Sequence, residues 1–274
     1  MLLVVGELIN STRKQVREAI ALRDEPQIRD LARRQVAAGA DVLDLNAGES
    51  DEQELADLLW LIDVVEDELG PATRLAIDTS DPEVMADAIG ACSSVPFMNS
   101  ISNEANRLPL FEVAKGCDCE MIGLAMGDSG VPMTADARVR EASMLIEKCA
   151  SHGISERRLY IDLICITVAV APEQGLELLE AIRRVRSELD AAPLVAVSNI
   201  SFGLPSRRLL NRTYLAMLVA AGLAGAILDP TDYRMADAIR AARALTGQDK
   251  YCVDFNRHHR EQASARRTEA TPPH

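Results

Sequence analysis

The feature that most constrains this chain is a rhythm: eight short apolar runs, nearly all followed by a longer helix-like stretch. The runs are Leu2 to Val5, Val42 to Leu45, Leu75 to Ile77, Phe97 to Met98, Met121 to Leu124, Leu159 to Ile161, Leu194 to Val197 and Ala226 to Leu228. Helical stretches include Arg13 to Ala38, broken near Asp24-Glu25-Pro26, then Glu52 to Glu68, Pro82 to Ala91, Ala135 to His152 and Pro172 to Leu189. Strands alternating with helices imply a parallel sheet with helical crossovers. Eight such units over about 250 residues match a closed (β/α)₈ barrel in both count and size. An open doubly wound sheet is the main competitor, but it advertises a Gly-rich phosphate turn after its first strand, and the stretch from Gly6 to Thr12 is not one. The expected organisation is one barrel over residues 1–255 and a polar, flexible tail over 256–274.

Composition narrows the partners. A formal net charge of −13 argues against a nucleic-acid backbone, which is bound by Lys and Arg. No stretch approaches the ~20 apolar residues of a membrane-spanning helix, and the first residues do not read as a signal peptide. The six cysteines form no CxxC pair, and Cys117 and Cys119 have no second ligand pair nearby, so scattered thiols are expected rather than a metal site. A reducing cytoplasm fits that usage.

Polar residues follow almost every apolar run. Glu7 and Asn10 follow the first, Asp44 and Asn46 the second, Asp78, Thr79 and Ser80 the third, and Asn99 and Ser100 the fourth. Asp162 ends the sixth, Ser198, Asn199 and Ser201 the seventh, and Asp229 the eighth. In a barrel these strand ends converge on one mouth, where active sites are built. Thr79, Ser80, Asp81 and Ser100 are, taken singly, more often helix caps than ligands. Asn46, Asp78, Asn99, Asp162 and Asn199 are read as strand-end residues, for which capping is a weaker account. Amides donate and accept while ionised carboxylates only accept, so this set suits a flat heterocycle with both donors and acceptors.

The strings GELIN, GADVLDLNAG, IDTS, MNSIS, YID and VSNISFGLPSRRLLNRTYLAM, in this order, resemble the pterin-binding methyltransferases. The resemblance runs from Met1 to about Phe255. It is shared by methyltetrahydrofolate:corrinoid/iron–sulfur protein methyltransferases and by methylcorrinoid:tetrahydrofolate methyltransferases of O-demethylase and betaine-demethylating systems. It implies a homodimeric barrel that moves a methyl group between N5 of tetrahydrofolate and the cobalt of a corrinoid. By position, Asp78 and Asp162 would hold the pterin ring, with Asn99 and Asn46 in the same pocket. Asn199 would bond near N5, and Ser198 and Arg207 would lie beside it, with Glu7, Asn10, Ser201 and Asp229 as a second tier. Leu8 stands where the family's first motif carries Arg, and Leu163 where Pro usually follows YID. The lower-ligand pattern D-x-H-x-x-G is absent, so the corrinoid, or cobalamin, is expected on a separate protein.

The chemistry gives Asn199 a reason. An amine is a poor leaving group until charge building on N5 is relieved, and a strong acid would already be ionised at neutral pH. A neutral amide can donate instead, with Asp162 and ordered water behind it. Dihydropteroate synthase shares the barrel, but it needs a Lys on the seventh-strand loop, where this chain has Asn199. A non-catalytic folate-binding subunit is the alternative from another class. A barrel acting on phosphorylated sugars would need a Gly-rich phosphate site after strands seven and eight, which is missing.

Overall fold

The computed structural model describes residues 2–48 and 53–260. Alternation becomes architecture in a direct way. β1 (Leu3–Asn10) leads to the helix pair α1 (Lys14–Leu22) and α2 (Glu25–Ala37). After these, strands and helices take strict turns. β2 (Val42–Asn46) precedes α3 (Glu54–Leu69), β3 (Leu75–Asp78) precedes α4 (Pro82–Ala91), and β4 (Phe97–Ser102) precedes α5 (Leu108–Gly116). The second half repeats the scheme with β5 (Glu120–Leu124) and α6 (Ala135–Ser151), then β6 (Leu159–Asp162) and α7 (Gln174–Glu188). β7 (Ala192–Ala196) and α8 (Arg207–Ala221) follow, then β8 (Gly225–Leu228) and α9 (Tyr233–Leu245). Every neighbouring pair is parallel, and β8 pairs with β1, closing a (β/α)₈ barrel.

The break expected near Asp24 is built locally. Arg23 turns left-handed at φ 54°, the Asp24 side chain accepts from the Gln27 N–H, and Pro26 occupies the first turn of α2, where its missing N–H costs nothing.

Side chains alternate along each strand with period two, and this sorts the interior into layers. Leu3, Val5, Val42, Ala76, Phe97, Ile122 and Leu194 pack inside the barrel, with Tyr160 and Ile227 against them. A separate, larger apolar core joins the outer strand faces to the helices. Moving two positions on from the inner apolar residues gives Glu7, Asp44, Asp78, Asn99 and Asp162. The parity that fills the lower barrel with hydrocarbon therefore turns these polar side chains onto the same inner face, toward the mouth.

Gly6 is required by a close approach. A Cβ there would run into Oε1 of Gln35, which accepts from the Leu8 N–H as α2 packs on β1. Residues 253–260 are helical, because the buried Asp249 carboxylate accepts from the N–H groups of Asp254 and Phe255 and starts the turn. His258 lies 3.3 Å from Asp237. Residues 261–274 lie outside the described residues. Among the described residues no helix is long and apolar enough to cross a membrane.

Candidate active site

The mouth has two halves of different chemistry. On the β2–β4 side, Asn46 Nδ2 donates to Asp78 Oδ2 at 3.1 Å and to the Asp78 carbonyl at 3.3 Å, while its Oδ1 accepts from the Ser11 hydroxyl at 2.8 Å. Asn99 lies opposite Asp78 in the strand register and donates from Nδ2 to Asp44 Oδ1 at 3.0 Å. Both amides are thus fixed in orientation by a carboxylate, which leaves the Oδ1 of Asn99 without a partner among the described residues.

Asp162 ends β6. Its Oδ1 accepts from the Ile164 N–H at 2.8 Å, across a turn in which Ile164 takes a left-handed φ of 56°. A β-branched residue adopts that conformation at a cost of roughly 1–2 kcal/mol, so something must hold it. Arg138 of α6 does. It is fully buried, with Nε donating to the Leu163 carbonyl and Nη2 to the Ile164 carbonyl and to Gln174 Oε1.

Burial sets the acidities. It pushes the carboxyl of Asp162 up to about 6, against the Ile164 hydrogen bond and the charge of Arg138. It raises Asp78 to about 6 as well, offset by the Asn46 hydrogen bond. Asp44 is held well above the carboxylate range, first by burial and then by the charge of Asp78.

The other half lies between β1, β7 and β8, where a cavity of about 300 Å³ is lined by Glu7, Arg13, Ser198, Arg207, Arg208 and Asp229. The Ser198 hydroxyl donates to Glu7 Oε2 at 3.2 Å, and Arg13 meets Glu7 Oε1 at 3.3 Å. Burial raises the Glu7 carboxyl, with Arg13 and Ser198 opposing. Arg207 donates to the Ser198 carbonyl at 2.8 Å and the Ser201 hydroxyl at 3.2 Å. Its guanidinium fixes the turn after β7 from the start of α8.

Not every expected residue sits where the sequence put it. Asn199 is not at the strand end: β7 stops at Ala196, and Asn199 stands exposed in the middle of a 3₁₀ turn, Val197–Ser201. Its side chain has no partner among the described residues. Ser201 is buried and donates to Asn211 Oδ1 at 2.6 Å, which makes it part of the support beneath that turn. Asn10 accepts from the Thr12 N–H and hydroxyl, a local turn. Asp229 does the same for Thr231 while also lining the cavity. The mouth is also less poor in cations than expected. Leu8 is buried away from it, and Arg13, five residues further on, brings a guanidinium to Glu7.

Asp44 stands among the polar residues expected at the mouth, with no role assigned from sequence; it is two positions before Asn46, and strand parity places it on the same inner face. Sequence reasoning missed Arg138, which left no such signal, because a lone Arg in an amphipathic helix reads as surface. No cluster of three or more His, Cys, Asp or Glu able to hold a metal occurs among the described residues.

Comparison with known proteins places the chain in a family. The sequence profile described as pterin binding enzyme matches residues 6–229. The chain is 32% identical over 267 residues to the methylcorrinoid:tetrahydrofolate methyltransferase of Eubacterium limosum, covering 95% of this chain and 97% of that one. It is 29% identical over 243 residues to methionine synthase of Mycobacterium tuberculosis, where the match spans 82% of this chain but 20% of the longer protein. Among solved structures, dihydropteroate synthase from Xanthomonas albilineans in complex with 7,8-dihydropteroate superposes with a TM-score of 0.68 at 22% identity, over 89% of this chain and 92% of that one. That likeness concerns the fold.

Proposed function

The chain belongs to the pterin-binding enzymes, and from that premise we propose that it transfers a methyl group between N5 of tetrahydrofolate and a corrinoid carried by a partner protein. One observation carries the reading. Asn46, Asp78, Asn99 and Asp162 share the inner face of one barrel end, with donors and acceptors fixed before any ligand arrives. Asp78 and Asp162 accept from the N–H groups of the pterin, and Asn99, oriented by Asp44, offers its free carbonyl to the ring edge. Asn46 keeps Asp78 in place.

Asn199 approaches N5 from the exposed turn after β7 and donates to the nitrogen as charge develops there. Asp162 supports it through ordered water. Ser198 and Arg207 position that turn, while Glu7, Asn10, Ser201 and Asp229 support the wall around them. The corrinoid supplies the cobalt that takes up or gives back the methyl group. The barrel holds the pterin, excludes water from its lower face and stabilises N5. In this reading the protein works in the cytoplasm as a homodimer.

The experiment is stopped-flow absorbance with 5-methyltetrahydrofolate and free cob(I)alamin, run also in reverse. Methyl transfer faster than the uncatalysed reaction is expected. Folate binding without turnover, with both free cobalamin and a corrinoid protein, would reduce the chain to a binding subunit. Absence of folate binding by calorimetry ends the proposal.

A further inference from the structure

At the end of the barrel opposite the mouth, α5 stops at Gly116 and β5 begins at Glu120, and the link between them is Cys117-Asp118-Cys119. Extended backbone sends side chains i and i+2 to the same side, and the two sulfurs touch, Sγ to Sγ 2.6 Å. Cys117 is half-buried and Cys119 buried. Arg158, just before β6, lies across both residues. Its Nε donates to the Cys119 carbonyl at 2.6 Å, and its Nη2 donates to the carbonyls of Cys117 at 2.9 Å and Ala114 at 3.3 Å. Nη2 is also 3.4 Å from Cys119 Sγ. The Ala114 and Cys117 carbonyls form the C-terminal end of α5, whose dipole opposes a nearby thiolate. The guanidinium cancels that field and adds a positive charge beside the sulfurs. The same charge disfavours a metal cation between them.

We propose that Cys117 and Cys119 are a redox-active dithiol, closing to a disulfide by exchange with a low-molecular-weight disulfide of the glutathione type. Cys117 Sγ, as thiolate, attacks one sulfur of the oxidant and expels a thiolate that takes up a proton. Cys119 then releases its proton to solvent and attacks Cys117 Sγ, expelling the second thiolate. Two protein thiols are oxidised, and one small disulfide is reduced to two thiols. Cys117 leads because solvent reaches it, while Cys119 is buried, and because the neighbouring Cys119 sulfur can share its proton with a Cys117 thiolate in a hydrogen bond. That bond, with the charge of Arg158 behind it, lowers its thiol to about 7 against the opposing effect of burial. Burial moves Cys92, Cys149 and Cys165 the other way, toward inertness.

The sequence supplies a clean assay. The tryptic peptide from Gly116 to Arg138 contains these two cysteines and no others. Full-length protein is incubated near neutral pH with oxidised glutathione, alkylated and digested. The expected peptide is two hydrogens lighter than the dithiol and returns to it with dithiothreitol. Cys119→Ser halts at a stable glutathione adduct on the same peptide, and Cys117→Ser gives no disulfide. Arg158→Met, with its fold checked by circular dichroism, slows alkylation of Cys117 roughly threefold, as lost thiolate is partly offset by greater nucleophilicity. Recovery of both thiols in alkylated form, or a wild-type adduct that never resolves, overturns the proposal.

Discussion

Asp162 and Asn199 differ in where they stand: one is buried in the wall of the mouth, the other exposed above it. Burial holds Asp162 at about 6, above the 3.8 of an ordinary aspartate, so the folded chain keeps this proton more tightly than the unfolded chain does. On that account stability is greatest below about pH 4 and falls as pH rises through about 6. Asp162→Asn, which keeps an acceptor for the Ile164 N–H, is therefore expected to stabilise the protein by about 2–3 kcal/mol at neutral pH. It should also flatten the decline between about pH 4 and 6, read by urea unfolding across that range. An unchanged pH dependence would mean the carboxyl is not the strained group. A pterin donating to Asp78 and Asp162 favours their ionised forms, so binding near pH 6 should release protons, seen by calorimetry in buffers of different ionisation heat. Asn199→Ala should cut turnover roughly a hundredfold, the scale of an oxyanion-type donor. Folate affinity should change far less, and equal loss of both would assign Asn199 to ground-state binding.

At the scale of elements, the strands carry the placement and the turns carry the surprises. All eight strands were legible because short apolar runs separated by helix-length segments leave few alternatives, and inner-face polar residues two positions beyond an apolar one follow from period two. The turn after β7 was not. SNIS reads as a continuation of the strand, since nothing in Val197 to Ser201 forbids extension, yet Arg207 and Asn211 reach back from α8 and fix it as a 3₁₀ turn. The turn after β6 depends on a residue 24 positions earlier. Arg138→Met keeps much of the side-chain volume but leaves the Leu163 and Ile164 carbonyls without their donor, at about 1–3 kcal/mol for each buried group. Asp162 then loses its backbone anchor. We expect a melting temperature several degrees lower and folate affinity weakened about tenfold, measured by calorimetry. A stable variant with unchanged affinity would remove Arg138 from the support of the site. Gly6→Ala tests the helix contact, since the added carbon meets the Gln35 side chain and should cost about 1–3 kcal/mol in chemical unfolding.

Over the whole molecule, closure of β8 on β1 leaves no sheet edge open, so an acidic surface is free to serve solubility rather than to guard an edge. A net charge of −13 also repels itself. Raising ionic strength should therefore increase the melting temperature at neutral pH by a few degrees, because screening relieves that repulsion while weakening exposed ion pairs worth little each. A fall on adding salt would show that networks such as Arg29 with Glu25 and Asp67 outweigh it. The position of Asn199 has a consequence at this scale too. An eight-stranded barrel is just wide enough for its own side chains, so a corrin macrocycle cannot descend to meet a reacting atom inside. If Asn199 acts at N5 as proposed, an amide on the lip, one turn above the last strand residue, would bring the exchange out to where a carrier protein needs only to touch the rim and leave.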